Sequence, residues 1–159
     1  SCTRVSFITV VNKTCTFHVA VSNETMIERG DIVMISGKVK YIHGYGFVIR
    51  TPEAVKITKK WYDNRITLND LKKYPEMYAG VNVNVSGYLT NIASLKTEFY
   101  LMDNLTDEKA FIKVVLRKTD NLNVIDNSHV YIRGTFEYDE NSFGYFIKVS
   151  DGKHGVWEM

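Results

Sequence analysis

The sequence predicts an all-β protein made of two tandem, small, five-stranded Greek-key barrels joined by a short helix. Three observations support this: a series of short runs rich in Val, Ile, Phe and Tyr, a single helix-like stretch, and the phrase "YGFVIR" at 45–50, which returns as "FGYFIK" at 143–148.

The strands come first. "TFHVAVS", "DIVMISGKV", "FVIRTPEAVKI", "VNVNVSGYL", "EFYLM", "AFIKVVLR", "HVYIRGTFEY" and "YFIKVS" are strand-sized and partly alternating, the period-two pattern of a half-buried sheet. The helix lies in "ITLNDLKKYPEMYAG". There Thr67 can cap the first turn with Asp70 three residues on, Leu68 and Leu71 form an apolar stripe, and Pro75 ends the run. With "KKWYDNR" before it, this segment reads as a joint. The organisation predicted is a first unit at 1–60, a linker and helix at 61–80, and a second unit at 81–159.

The two halves superpose in sequence. "CTFHVAVS" (15–22) matches "AFIKVVLR" (110–117), "DIVMISGKVKY" (31–41) matches "SHVYIRGTFEY" (128–138), and "YGFVIR" matches "FGYFIK". Gly37 then falls on Gly134, Gly46 on Gly144 and Arg50 on Lys148. A period this long marks two domains in tandem rather than a solenoid. Glycines inside strand patterns permit the bend by which a short sheet curls into a barrel. Gly44, Gly46 and the "DENSFG" segment read as hairpin connections. The second unit supplies five strands, Val81–Leu89, Phe99–Asp103, Ala110–Arg117, Val130–Tyr138 and Tyr145–Val149, with a long third-to-fourth connection, "KTDNLNVIDN", the spacing of a Greek-key barrel. The first unit begins later: the counterpart of the opening strand would precede Ser1, unless "RVSFITVV" is used differently.

Composition narrows the function classes. A chain of 159 residues that is 45% hydrophobic can build real cores. A net charge of +2 is not that of a basic nucleic-acid coat, so any electrostatic footprint depends on where Lys and Arg sit. No apolar run reaches the length of a membrane span and no leader opens the chain, so an intracellular protein of cytoplasm or nucleoid is expected. Cys2 and Cys15 are too few for a disulfide framework. Cys15-x-x-His18 with Cys2 falls short of four ligands, and two strand residues three apart face opposite ways, so no metal is expected. No GxSxG, HExxH or P-loop occurs, and carboxylate pairs such as Asp103 with Asp107 or Asp139 with Glu140 lie in loops. The expectation is a protein with no catalytic residues and no cofactor.

One stretch resembles a known family. "ITLNDLKKYPEMYAGVNVNVSGYLTNI" is similar to the entry of an oligonucleotide/oligosaccharide-binding (OB) domain of the archaeal replication protein A type: a short helix, a proline turn, then an alternating strand ending in Gly and an apolar residue. "FYLMD" resembles that family's second strand and "AFIKVVL" its third. The resemblance covers 65–150 and, more loosely, 4–60. It departs from the family where "DNLTDEK" lacks the usual turn glycine between strands two and three. It implies binding of single-stranded nucleic acid, DNA favoured over RNA, with little sequence preference, in replication, recombination or repair. OB domains also serve as protein-interaction modules within larger complexes, which is the alternative.

In this fold single strands cross strands two and three, with loops at the rim. If Ile112, Val114 and Leu116 point inward, Phe111, Lys113, Val115 and Arg117 point out, and inward Phe99 and Leu101 leave Tyr100 and Met102 outside. The expected set is therefore Tyr100 and Phe111 for stacking and Lys113 and Arg117 for phosphates. Phe143 and Tyr145 stand at the rim of the second unit, with His43 and Tyr45 at that of the first. Tyr138 and Tyr41 are expected at interior or barrel-end positions. Lys56, Lys59, Lys60, Arg65, Lys72 and Lys73 gather at the joint, with Trp61 as a packing plug.

Overall fold

Nearly every alternating run becomes a strand, and the difference between the two halves lies in how those strands close. The computed structural model describes residues 5–22, 26–50, 52–90, 97–103, 111–117, 127–150 and 155–159. Cys2, Asp107, nearly all of "DNLTDEK" and all of "KTDNLNVIDN" except its last residue lie outside them. The chain divides into two units, Ser1–Lys60 and Trp61–Met159.

The first unit holds β1 (Val5–Val11), β2 (Thr16–Ser22), β3 (Ile32–Ser36), β4 (Lys40–Ile42), β5 (Gly46–Ile49) and β6 (Ala54–Lys59). They form a four-stranded sheet in the order β1-β2-β5-β4 and a two-stranded sheet, β3-β6. Its fully apolar centre is small: Val19, Val21 and Ile49 are buried, with Ile8, Val10, Phe17, Ile27, Ile35 and Val55 packed around them only in part. Lys60 fastens the entry to β3. Its ammonium lies 2.7 Å from Asp31 and 2.9 Å from Glu28, and these two hydrogen-bonded carboxylates raise its pKa to about 12.

The second unit opens with a single 3-10 turn (Trp61–Asp63), then β7 (Arg65–Thr67), α1 (Leu68–Lys73) and a one-turn α2 (Pro75–Tyr78). Thr67 and Asp70 form the expected capping box: the Asp70 backbone N–H donates to Thr67 Oγ1 at 3.2 Å, and the Thr67 N–H donates to Asp70 Oδ2 at 3.0 Å. Satisfying both donors fixes the start of a helix too short to stand alone. After it come β8 (Asn82–Thr90), β9 (Glu98–Met102), β10 (Phe111–Leu116), β11 (His129–Asp139), β12 (Gly144–Val149) and β13 (Val156–Glu158). The five core strands fall within one residue of the sequence-based bounds.

β8 pairs antiparallel with both β9 and β11, β9 with β10, β10 parallel with β12, and β12 antiparallel with β11. The ring β8-β9-β10-β12-β11 is therefore a closed five-stranded barrel, with β7 and β13 added at its margins. Closure removes the sheet edges and encloses one core. Phe99, Leu101, Val114, Val130, Ile132, Phe136 and Ile147 are each at most 1% exposed. Residues 61–80, set apart in the sequence reading as a joint, contribute Ile66, Leu68 and Leu71 to this same core. Gly134 lies where β11 passes from β8 to β12: a Cβ there would stand 2.5 Å from the Lys148 carbonyl oxygen and 2.9 Å from Ile147 Cγ2.

Two tandem barrels were expected; among the described residues the second unit forms one and the first does not. Among the described residues the first unit has no strand in the place of β8, the element whose two-sided pairing closes the ring. The repeat itself is exact in pairing. His18 opposes Val48 in parallel as Lys113 opposes Phe146, and Val19 opposes Ile49 as Val114 opposes Ile147. Tyr41 opposes Phe47 as Tyr138 opposes Tyr145. β1 stands to β2 as β9 stands to β10, Thr9 taking the place of Tyr100. β6 stands to β3 as β13 stands to β11, with Val55 against Ile35 matching Val156 against Ile132.

Candidate nucleic-acid interface

Period-two geometry places the expected face. Ile112, Val114 and Leu116 are buried, while Phe111 and Arg117 are exposed and Lys113 and Tyr100 half-buried on the outside. Lys113 sits directly opposite Tyr100 on β9 and Phe146 on β12, so it has one aromatic residue as its cross-strand neighbour on each side. Phe111, one outward position along β10, meets the Tyr100 ring edge-on with centroids 4.9 Å apart. Phe111 keeps 47% of its surface exposed. Met102, expected outside, is buried.

The rim residues divide. Phe143 is 83% exposed and holds a left-handed backbone, φ 52°, a conformation that costs a bulky residue about 1–2 kcal/mol. Tyr145 is half-buried, stacked on Phe136 at 4.9 Å and edge-on to Tyr138 at 5.1 Å; its ring supports the rim more than it offers a free face. Tyr138 and Tyr41, expected inside or at the barrel end, stand on the surface at 47% and 67% exposure. His43 and Tyr45 are exposed at the β4–β5 turn of the first unit, where Phe47 gathers the Tyr41 and Phe17 rings at 5.4 and 5.7 Å.

The electrostatics of the second unit's face differ from the expected phosphate track. Glu98, Glu137, Asp139 and Glu140 line one shallow groove of about 370 Å³ with Lys113, Tyr138 and Phe146. The Ser142 hydroxyl, 2.7 Å from Asp139 Oδ2, and the Asn141 backbone N–H, 3.0 Å from Oδ1, hold the Asp139 carboxyl below its ordinary value, with a smaller contribution from the Lys113 charge. Lys113 thus shares its groove with carboxylates, and Arg117 stands exposed just past the far end of β10, six residues from Phe111. The face is stronger in rings than in charge.

Sequence reasoning missed a second aromatic cluster, on the outward side of β8, β11 and β13. Tyr88 stacks on His129 at 4.5 Å and Tyr131 on Trp157 at 5.4 Å. The Arg133 guanidinium lies 4.9 Å from the Trp157 centroid and the Arg65 guanidinium 4.9 Å from that of Tyr131. The signal is present in "HVYIRG", where Tyr131 and Arg133 alternate with inward Val130 and Ile132; what hides it is that Trp157 meets Tyr131 only through the pairing of β13 with β11. Arg133 Nη2 and the buried Asn84 Nδ2 both donate to the Tyr62 carbonyl, at 3.3 and 2.7 Å. The cluster pins the 3-10 turn to the barrel, and its rings spend their faces on one another.

Among the described residues no helix is long and apolar enough to cross a membrane. No family model and no curated protein matches the chain. Among solved structures, the p204 HINb domain is similar at 16% identity and TM-score 0.42, covering 99% of this chain and 86% of that one. An Ifi202 HINa domain, solved in complex with 20-bp double-stranded DNA, is similar at 16% identity and TM-score 0.40, covering 95% and 82%. A murine DNA-binding protein, solved bound to double-stranded DNA, follows at 14% identity and TM-score 0.37, covering 92% and 81%. Likeness at this level does not define a function.

Proposed function

We propose that the second unit binds single-stranded nucleic acid, with little sequence preference, on the outer face of β9 and β10 and the turn between β11 and β12. The observation that carries this reading is the Tyr100–Phe111 pair on the outside of a closed barrel, with Phe111 and, at the rim, Phe143 left open to solvent. A closed core has no use for these rings, and an unpaired base can use them. Stacking on one aromatic contributes about 1–3 kcal/mol and tolerates any base. Because Glu98, Glu137 and Asp139 offset Lys113, stacking supplies most of the affinity and phosphate contacts little. A duplex, whose bases stack on each other, offers no such face to Phe111.

The test is a fluorescence-anisotropy titration with a labelled single-stranded oligonucleotide at two salt concentrations. The wild-type chain binds, affinity falls only gently with salt because few phosphates are neutralised, and Phe111→Ala weakens binding by about 5- to 100-fold, the equivalent of one stacking contact. No binding at low salt, or unchanged affinity in Phe111→Ala, overturns the reading.

A further inference from the structure

Two grooves lie along the outward side of β11, and charge sorts them. Its outward positions run Arg133, Thr135, Glu137 and Asp139, so the strand turns from basic to acidic along its length. The acidic end belongs to the groove around Lys113. The basic end lines a second recess of about 370 Å³, walled by Trp61 and Tyr62 of the 3-10 turn and by strands β8, β11 and β12. Among the described residues lining it are two cations, Arg133 and Lys148, and no carboxylate.

Register builds this recess. Asn82 opposes Thr135, and Thr135 opposes Lys148. Such neighbours hold their Cβ atoms about 5 Å apart, so a carboxamide, a hydroxyl and an ammonium form one row across three strands. The Thr135 hydroxyl lies 3.3 Å from Asn82 Oδ1, and donating there leaves the carboxamide N–H groups for a ligand. Arg133 stands one outward position away on β11. Its Nη2 donates to a neutral group, the Tyr62 carbonyl, at 3.3 Å. Its Nε is buried and meets no acceptor among the described residues, and three rings surround the guanidinium, Trp157 nearest at 4.9 Å. A half-buried cation met there by a carbonyl and ring faces lacks a counter-charge among the described residues. Lys148 is exposed and forms no ion pair among the described residues. The next carboxylate along β11, Glu137, lies two residues beyond Thr135 and lines the other groove.

We propose that this recess binds the phosphate of a phosphate monoester. Such a group carries about −1.5 to −2 charge at pH 7, which the two cations match. Arg133 and Lys148 supply charge-assisted donors and Asn82 a neutral one, and a cleft lined by one sign of charge concentrates its field on the ligand. A phosphodiester, with one charge, satisfies one cation and leaves the other. The recess is near the lower end of small-molecule sites, which span about 300–1,000 Å³, so it has room for part of the esterified group. It is a different surface from the Tyr100–Phe111 face, and the proposal does not depend on that face.

The test titrates inorganic phosphate into the whole chain at constant ionic strength, with chloride making up the balance, and reads amide shifts residue by residue. The expected result is saturable shifts at Asn82, Arg133–Thr135 and Lys148. Lys148→Gln weakens binding by about tenfold or more, the equivalent of one charge-assisted hydrogen bond, while Lys148→Arg retains it. Lys148 is exposed, so neither substitution disturbs the core. Phe111→Ala leaves these shifts unchanged, which separates this site from the proposed nucleic-acid face. Two single strands that differ only in a 5′-phosphate then identify the source. Shifts from the phosphorylated strand alone assign the recess to nucleic-acid ends; shifts from neither assign it to a free small phosphate compound. The proposal is overturned by no saturable shift with inorganic phosphate, by the same shifts with chloride alone, by equal affinity in Lys148→Gln, or by equal shifts from the unphosphorylated strand.

Discussion

The two units share four strand pairings by register, and among the described residues the first has no counterpart of β7 or β8. Among the described residues, the second unit closes with β8 in place and buries seventeen residues in its core cluster, while the first, without a counterpart, buries three in its own. A barrel is thus not a property of each hairpin but of the strand that pairs on both sides. The same comparison separates two kinds of exposed apolar surface. In the second unit the open rings stand outside a finished core, which suits a ligand. In the first, Val33 and Ile35 are half-buried, around a core cluster of three buried residues among those described.

The largest effect expected from breaking this comparison is in the closed core. Ile132→Ala should cost about 2–5 kcal/mol, whereas Ile35→Ala, its register counterpart and half-buried, should cost less than about 2 kcal/mol. Both tryptophans, Trp61 and Trp157, lie in the second unit, so denaturation followed by their emission reports that unit alone, and resolved amide signals report the first. Equal costs at the two positions would mean that Ile35 is packed as deeply as Ile132 in solution.

Gly134→Ala comes next. Its Cβ would meet backbone rather than a yielding side-chain tip, so a loss of about 1–3 kcal/mol is expected from overpacking, again by tryptophan emission; an unchanged midpoint would contradict the crossing geometry of β11.

Phe143→Gly sharpens the distinction between core and ligand surface, because its two effects have opposite signs. Relief of the left-handed backbone should stabilise the second unit by up to about 1 kcal/mol, while loss of the ring weakens oligonucleotide binding severalfold. A variant that loses stability, or binds as well as wild type, would show Phe143 to be packing.

A smaller effect concerns charge. Glu98→Gln combined with Glu137→Gln should raise oligonucleotide affinity a few-fold and steepen its salt dependence, since Lys113 is then free to meet phosphate; unchanged affinity would place the strand away from this groove.

The smallest effect is at the rim turn. Asp139 has its pKa lowered by folding, so its hydrogen bonds to Ser142 and Asn141 support the turn above the ordinary carboxylate range and are lost as pH falls through the lowered value. Ser142→Ala should bring the Asp139 titration, followed by NMR, back toward the ordinary value. No change would exclude that hydroxyl as the cause.

Much of this was legible in the chain. Alternation in "AFIKVVLR" and "EFYLM" correctly assigned Phe99, Leu101, Ile112, Val114 and Leu116 to the inside, and the match of "YGFVIR" with "FGYFIK" anticipated a shared strand register. Closure was not legible, because it depends on pairing between strands remote in sequence, and a repeat looks the same with or without the strand that completes it. Met102 alternates outward on paper, yet it is buried. The carboxylates around Lys113 were hidden for a related reason: Glu98 and Glu137 come from β9 and β11 and meet it only through the register of the folded sheet. Arg133 and Trp157 come together in the same way across β11 and β13.

The most direct measurement of the central claim is a residue-by-residue amide shift map of the chain on addition of a short single-stranded oligonucleotide. The account predicts saturable shifts concentrated at Glu98–Met102, Phe111–Arg117 and the turn through Phe143. Shifts confined to the Tyr88, His129, Tyr131 and Trp157 cluster or to the first unit, or none at all, would contradict it.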